Sequence, residues 1–190
     1  YYKDWSCLIN TYKKFINNTN ADGTVFACGD DINLKEILKD YKSKYLLFGL
    51  TKDSDIYPKD IKFKDWETEF ECVYKNKDLG KFNLPLMGLH NVSNSLSVVG
   101  LGMELGIEVK VIKEALSSFK GSERRLQVKL DHDGILVVDD YAHHPSEIKA
   151  TLDTAAIEKK NKIITVFQPH RYSRLANLHN RFGGSFKNTD

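Results

Sequence analysis

The chain holds 190 residues, of which 41% are hydrophobic and 28% charged, enough to build a core and too apolar for wholesale disorder. A formal net charge of +2 supplies no basic field for nucleic-acid binding. The longest apolar stretch, Val98 to Ile107, is broken by Gly100, Gly102, Glu104 and Gly106, well short of the about 20 apolar residues a membrane span needs. Neither nucleic acid nor membrane is an expected partner. Cys7, Cys28 and Cys72 form an odd set without C-x-x-C spacing and read as reduced, mostly buried thiols of a cytoplasmic protein, not as zinc ligands. The chain opens Tyr1-Tyr2-Lys3-Asp4 with no signal-like segment and closes just after an amphipathic stretch, so both ends read as cuts through a longer protein.

Taken in chain order, Trp5, Leu8, Ile9, Tyr12, Phe15 and Ile16 recur at helical spacing, and Asn17 to Gly23 ends the pattern. A short strand at Thr24–Cys28, a helix at Leu34–Tyr41 and a strand at Tyr45–Gly49 follow, the order of a parallel sheet covered by helices. In Glu67–Tyr74 the acids Glu67, Glu69 and Glu71 alternate with Thr68, Phe70 and Cys72, the period of an antiparallel strand with one charged face. Asn76-Lys77-Asp78 turns it toward a return strand through Phe82 and Leu84. A helix over Asn91–Leu105, apolar almost all round, is expected to be buried, and Val109, Ile112, Leu116 and Phe119 form the stripe of another.

Lys120–Glu123 reads as a linker, which puts a domain boundary near residue 121. Beyond it, strands at 126–130 and 135–138 flank an Asp131-His132-Asp133-Gly134 turn. A helix at Pro145–Lys159, a strand at Ile163–Phe167 and a last helix from near Ser173 complete the order. A right-handed crossover would make the strands at 135–138 and 163–167 parallel, with the polar loops after them in one cleft.

Three segments carry chemistry. Gly88-Leu89-His90-Asn91-Val92-Ser93-Asn94 opens a helix with polar side chains beside orphan backbone donors. An asparagine amide suits a purine edge, and it equally suits an N-cap; spacing alone leaves both open. Val137-Val138-Asp139-Asp140-Tyr141-Ala142-His143-His144-Pro145 runs a strand out into two carboxylates and two imidazoles. It is a place for a ribose, a metal-bound water or a cation, or for carboxylates that merely cap backbone; direct metal ligation is disfavoured because adjacent histidines diverge. Gln168-Pro169-His170-Arg171-Tyr172-Ser173-Arg174 repeats the pattern, with Arg171 and Arg174 spaced to share one anion or to sit as solvated surface charge. Arg124-Arg125 stands at the domain junction. No G-x-x-x-x-G-K-[ST] occurs, so no phosphate-cradling loop is present.

Together, Gly-Leu-His-Asn-Val-Ser-Asn at 88–94, Arg-Arg-Leu at 124–126, Asp-Asp-Tyr-Ala-His-His-Pro-Ser-Glu at 139–147 and Phe-Gln-Pro-His-Arg-Tyr-Ser-Arg at 167–174 resemble the Mur ligases in order and spacing. The resemblance covers essentially the whole chain. It implies an α/β protein: the remainder of a P-loop-type central ATP-binding domain at 1–121, a parallel sheet with helices plus a small antiparallel hairpin, then the first part of a Rossmann-like C-terminal domain at 122–190. It further implies a cytoplasmic, ATP-dependent joining of L-alanine to the carboxylate of UDP-N-acetylmuramate through an acyl phosphate, with Mg2+ held by ligands upstream of Tyr1. Carried over, Asn94 meets adenine with His90 and Asn91 shaping its pocket, and Arg125 and Asp140 contact the nucleotide. Tyr141, His143, His170, Arg171 and Arg174 line the acceptor side. This segment alone is expected to be inactive. The murein-peptide ligases of the same family share the aspartate–histidine segment and are the second reading. A non-catalytic nucleotide-binding module is the third, if Tyr1 is a true start. Leu126 stands where the family usually has Phe and Leu175 where Thr is common, and Gly183-Gly184 inside a helix is unexplained.

Overall fold

A computed structural model describes residues 2–157 and 161–190. Its elements run α1 (Trp5–Asn17), β1 (Val25–Cys28), α2 (Ile32–Leu38), β2 (Tyr45–Phe48), β3 (Ile56–Lys64), β4 (Glu67–Tyr74), β5 (Lys77–Leu84), α3 (Leu89–Glu104), α4 (Val109–Ser118), β6 (Gln127–His132), β7 (Ile135–Asp139), α5 (Pro145–Ile157) and α6 (Tyr172–Ser185). Two compact units emerge, one from 1–62, 69–83 and 91–117, the other from 63–68, 84–90 and 118–190. Among the described residues no helix is long and apolar enough to cross a membrane.

Capping sets the first helices. Asp4 accepts the Cys7 N–H at 2.7 Å, and Asp31 accepts from Asn33 and Leu34 at 2.8 and 3.2 Å. That second cap starts α2 two residues before its expected place. The apolar stripe of α1 divides: Ile9 and Ile16 pack with Ala27, Ile37, Leu38 and Tyr41, whereas Trp5, Tyr12 and Phe15 stay exposed.

The first sheet has the order β1-β2-β3-β4-β5. β1 and β2 pair in parallel from Val25↔Tyr45 to Cys28↔Phe48, and β2 joins β3 in parallel at Phe48↔Ile56. Two-residue turns then link β3 to β4 (Asp65, Trp66) and β4 to β5 (Lys75, Asn76), all four residues at positive φ, the geometry that closes antiparallel hairpins. β3 has no counterpart in the sequence reading. Pro58 and a left-handed Asp60 interrupt it, and the Asp65-Trp66 turn lacks a glycine. The β4–β5 turn also falls one residue earlier than expected. On β4 the inward face is Thr68, Phe70 and Cys72, as the alternation requires, and Phe70 stacks on Phe82 of β5 with centroids 5.7 Å apart.

α3 is not buried all round. Val92, Leu96, Val99 and Gly100 face the core, while Val98, Leu101 and Leu105 just beyond the helix stay exposed, so apolar content overstated the burial. Gly100 is there for close approach: a Cβ would lie 2.3 Å from Ile56 Cδ1.

In the second unit β6 and β7 form an antiparallel pair around Asp133-Gly134, both at positive φ. α5 and α6 pack through Ile148, Leu152 and Phe182, joined by Ile163, Phe167, Leu178 and Phe186. α5 is described to Ile157, and the expected helix beyond it lies outside the described residues. The expected strand at 163–167 is not one, so it makes no parallel pair with 135–138. Its side chains alternate, Ile163, Thr165 and Phe167 inward and Ile164 and Val166 outward. Its backbone ties run instead to the last residues: Ile163 N–H donates to the Asp190 carboxylate at 2.8 Å and Ile163 C=O accepts the Asp190 N–H at 3.0 Å. Period-two patterning reports burial, and pairing needs a neighbour that this segment lacks. Gly183 and Gly184 lie in α6 with open space at their α-carbons, and nothing in the structure explains them.

Candidate functional site

Gly88 opens the site. At φ +103 it takes a conformation closed to other residues, and a Cβ there would lie 2.5 Å from Thr154 Oγ1 and 2.8 Å from the His90 ring. The bare α-carbon lets the His90 imidazole fold back beside α5. α3 begins at Leu89, which puts Asn91 in its first turn and Asn94 in its second. Neither asparagine is the N-cap, so the capping alternative does not hold for them. The Asn94 side chain is exposed and has no hydrogen-bond partner among the described residues, leaving its amide to the outside.

His90 is more than half buried, and burial pushes its pKa down; Asp140 acts against that shift and Arg125 with it. These three groups, from segments 88–94, 124–126 and 139–147, fall in one unit. Asp140 is engaged as well as available: Oδ2 accepts the Leu126 N–H at 2.9 Å and Oδ1 the Ala142 N–H at 2.7 Å. Each oxygen keeps a lone pair for a ligand. The Asp140 bond pins Leu126 at φ +46, in a turn where Arg124 also sits at φ +57, and the exposed Arg125 is presented between them.

After β7 the chain carries an aromatic row. The Tyr141 and His143 rings meet edge to face at 5.0 Å, and His143 meets His170 at 6.3 Å. The loops at 139–144 and 168–171 thus converge although no strand pair positions them. His143 donates through Nδ1 to the Tyr141 carbonyl at 2.9 Å. Glu147, which the sequence reading did not single out, holds this bend: its Oε2 accepts the N–H groups of His143 and His144 at 3.0 and 3.1 Å. Burial pushes the Glu147 carboxyl up, but those two bonds prevail and leave it below its ordinary value. The signal was an acid in the first turn after Pro145. His144 Nδ1 accepts from the Ser146 N–H at 3.3 Å and lies 2.6 Å from its hydroxyl, an arrangement of a neutral ring. Burial lowers its pKa, and Arg181 and Arg174 add to that.

The arginine pair departs from expectation. Arg171 lies before α6 at φ +68, so the helical i, i+3 argument does not apply to it. Arg174 is in the helix, with Nη1 donating to the His170 carbonyl at 3.1 Å. Among the described residues no group of three or more His, Cys, Asp or Glu could hold a metal ion. An open depression of about 350 Å³ between α1 and α2 is lined by none of these residues.

Set beside known proteins, residues 1–102 match the family described as the Mur ligase middle domain and residues 124–190 the Mur ligase, glutamate ligase domain. The UDP-N-acetylmuramate–L-alanine ligase of Brachyspira hyodysenteriae is 42% identical over 193 residues, covering 100% of this chain and 42% of that protein. The corresponding crystal structure from Thermotoga maritima matches 99% of this chain and 40% of its own at a TM-score of 0.79 and 27% identity. A MurF ligase from Thermotoga maritima, solved in complex with ADP, shares the fold over 95% of this chain and 42% of its own, at a TM-score of 0.75 and 19% identity. The chain spans about two fifths of the length of the curated relatives it matches.

Proposed function

This chain belongs to the Mur ligase family, and from that premise we propose that it is part of a cytoplasmic ligase joining L-alanine to the carboxylate of UDP-N-acetylmuramate with ATP, in peptidoglycan precursor synthesis. Residues 1–121 are the later part of its central ATP-binding domain and 122–190 the first part of its C-terminal domain. The observation that carries the reading is the Asp140 carboxylate, bonded to the Leu126 and Ala142 N–H groups beside the exposed Arg125, in the same unit as His90.

A carboxylate and an amine do not condense unaided in water; ATP, when bound, turns a carboxylate oxygen into a leaving group as an acyl phosphate. His90, kept uncharged by burial, offers a flat half-buried wall, and the free amide of Asn94 offers a donor and an acceptor to an adenine edge, with Asn91 beside it. Arg125 supplies a guanidinium for nucleotide oxygens, and Asp140 stiffens the turn that presents it while keeping lone pairs for the ligand. On the acceptor side, Tyr141, His143 and His170 form the wall. Arg171 and Arg174 meet the alanine carboxylate or the acyl phosphate and stabilise charge growing on its oxygens as the amine attacks the acyl carbon and phosphate departs. The described residues offer Mg2+ no ligand set, and no step here runs through it.

The test is steady-state kinetics of the full-length ligase with alanine varied at saturating ATP and UDP-N-acetylmuramate. Arg171→Lys or Arg174→Lys keeps the charge and loses the fork, so use of alanine falls while ATP binding stays near normal. Wild-type alanine kinetics in both variants and in the double alanine variant would reduce the pair to surface charge.

A further inference from the structure

Arg124 is assigned no role in the proposed function, yet its side chain and its backbone are both engaged. Its guanidinium carbon lies 4.9 Å from the centroid of the Tyr141 ring, and its Nε lies 3.3 Å from Asp139 Oδ2. Its carbonyl accepts the Tyr141 N–H at 2.7 Å, and its own N–H donates to Gln127 Oε1 at 3.1 Å. One side chain therefore touches both neighbours of Asp140, while its backbone holds the far end of the same tripeptide.

We infer that Arg124 is a positioning residue: it covers one face of the Tyr141 ring and so fixes the ring's orientation toward bound substrate. An exposed ion pair with Asp139 would by itself contribute little. The guanidinium, however, is planar and can lie on a ring while one edge meets a carboxylate, a combination that a lysine reproduces only in part. Tyr141 is otherwise held by an edge contact with His143 and by its backbone, and the residue is 45% exposed. Without Arg124 that ring regains rotamer freedom. The left-handed backbone at Arg124 is a conformation that persists only where surrounding contacts over-determine it.

The inference rests on the proposed function in needing Tyr141 at the substrate site, and the test separates the two. It is a double-mutant cycle in the full-length ligase with Arg124→Ala, Tyr141→Ala and the pair, recording KM for ATP, KM for alanine, kcat and thermal midpoint. The expected result is that both single variants raise the same KM, alanine's on the acceptor-side placement, by roughly two- to tenfold. The double variant is then no worse than Tyr141→Ala alone, Arg124→Lys recovers part of the loss, and kcat moves less. Should both single variants raise the ATP constant instead, the acceptor-side placement of Tyr141 falls and the positioning role stands. The inference is overturned if Tyr141→Ala moves either constant and Arg124→Ala does not, if the two effects multiply independently, or if Tyr141→Ala moves neither. A loss in Arg124→Ala that spreads over every constant together with a lowered thermal midpoint also overturns it, as a structural role.

Discussion

The β4–β5 and β6–β7 hairpins are closed by the same device, a two-residue turn with both residues at positive φ, and they end in opposite circumstances. On the first, Phe70, Cys72, Phe82 and Leu84 are 0–2% exposed. On the second, Val128, Leu130, Ile135 and Val137 are 45–61% exposed, although their residue types are just as apolar. Turn chemistry and alternation specify a hairpin; a packed layer is what buries it. The Asp140–Glu147 part of the candidate site follows the less buried of the two. Asp140, His143 and Glu147 are held by backbone hydrogen bonds, and a nearby packed cluster is that of α5 and α6. Polar geometry, not core packing, sets the positions of the chemistry-bearing groups.

Breaking the buried hairpin should have the largest effect. Phe70→Ala opens a cavity under Phe82 and should lower unfolding free energy by about 3–5 kcal/mol in urea titrations. A loss below about 1 kcal/mol would mean that the first sheet is not the main store of stability. Next comes Gly88→Ala, which meets Thr154 and the His90 ring at a backbone angle hostile to alanine. It should cost about 1–3 kcal/mol and weaken nucleotide binding, because it displaces His90. Preserved nucleotide affinity would detach His90 from the site.

Acid sharpens the comparison, because the first unit has its own polar latch. Glu104, the last residue of α3, is held at about 2 by hydrogen bonds from Lys44, Lys75 and Tyr74, in that order of strength. The folded state thus favours the ionised form. That contribution is complete above the ordinary value of 4.5 and drains away as pH falls toward 2. Glu104→Gln should be less stable than the parent near neutrality and should lose less between pH 4.5 and 2. Parallel curves would contradict the latch. The smallest effect belongs to the exposed hairpin: Leu130→Thr should change stability by less than about 0.5 kcal/mol in the same urea titration.

Much of this was legible in the residues. The Ile112 and Leu116 positions of the α4 stripe, the Asp133-Gly134 turn and the charged face of β4 follow from period and turn chemistry alone, whereas Phe119, the expected end of that stripe, lies beyond α4 and is exposed. What was not legible depended on distant partners. β3 carries Pro58, a left-handed Asp60 and three lysines, and its neighbours make it a strand. Ile163–Phe167 alternates like a strand and pairs with none of the strands among the described residues. At the site, the motifs included Tyr141, His143 and His170, whose rings meet, yet not the start of α3 at Leu89, which removes Asn91 and Asn94 from the cap. The left-handed turn about Arg125 and the two bonds of Glu147 are likewise products of the folded chain.

The central claim is that the start of α3 reads the nucleotide, and Asn94 tests it most directly. ATP affinity of the full-length ligase should fall in Asn94→Ala by the worth of one or two hydrogen bonds, about 1–3 kcal/mol, read as a raised KM for ATP with the alanine constant nearly unchanged. An unchanged ATP constant, with or without a lower thermal midpoint, would contradict the account.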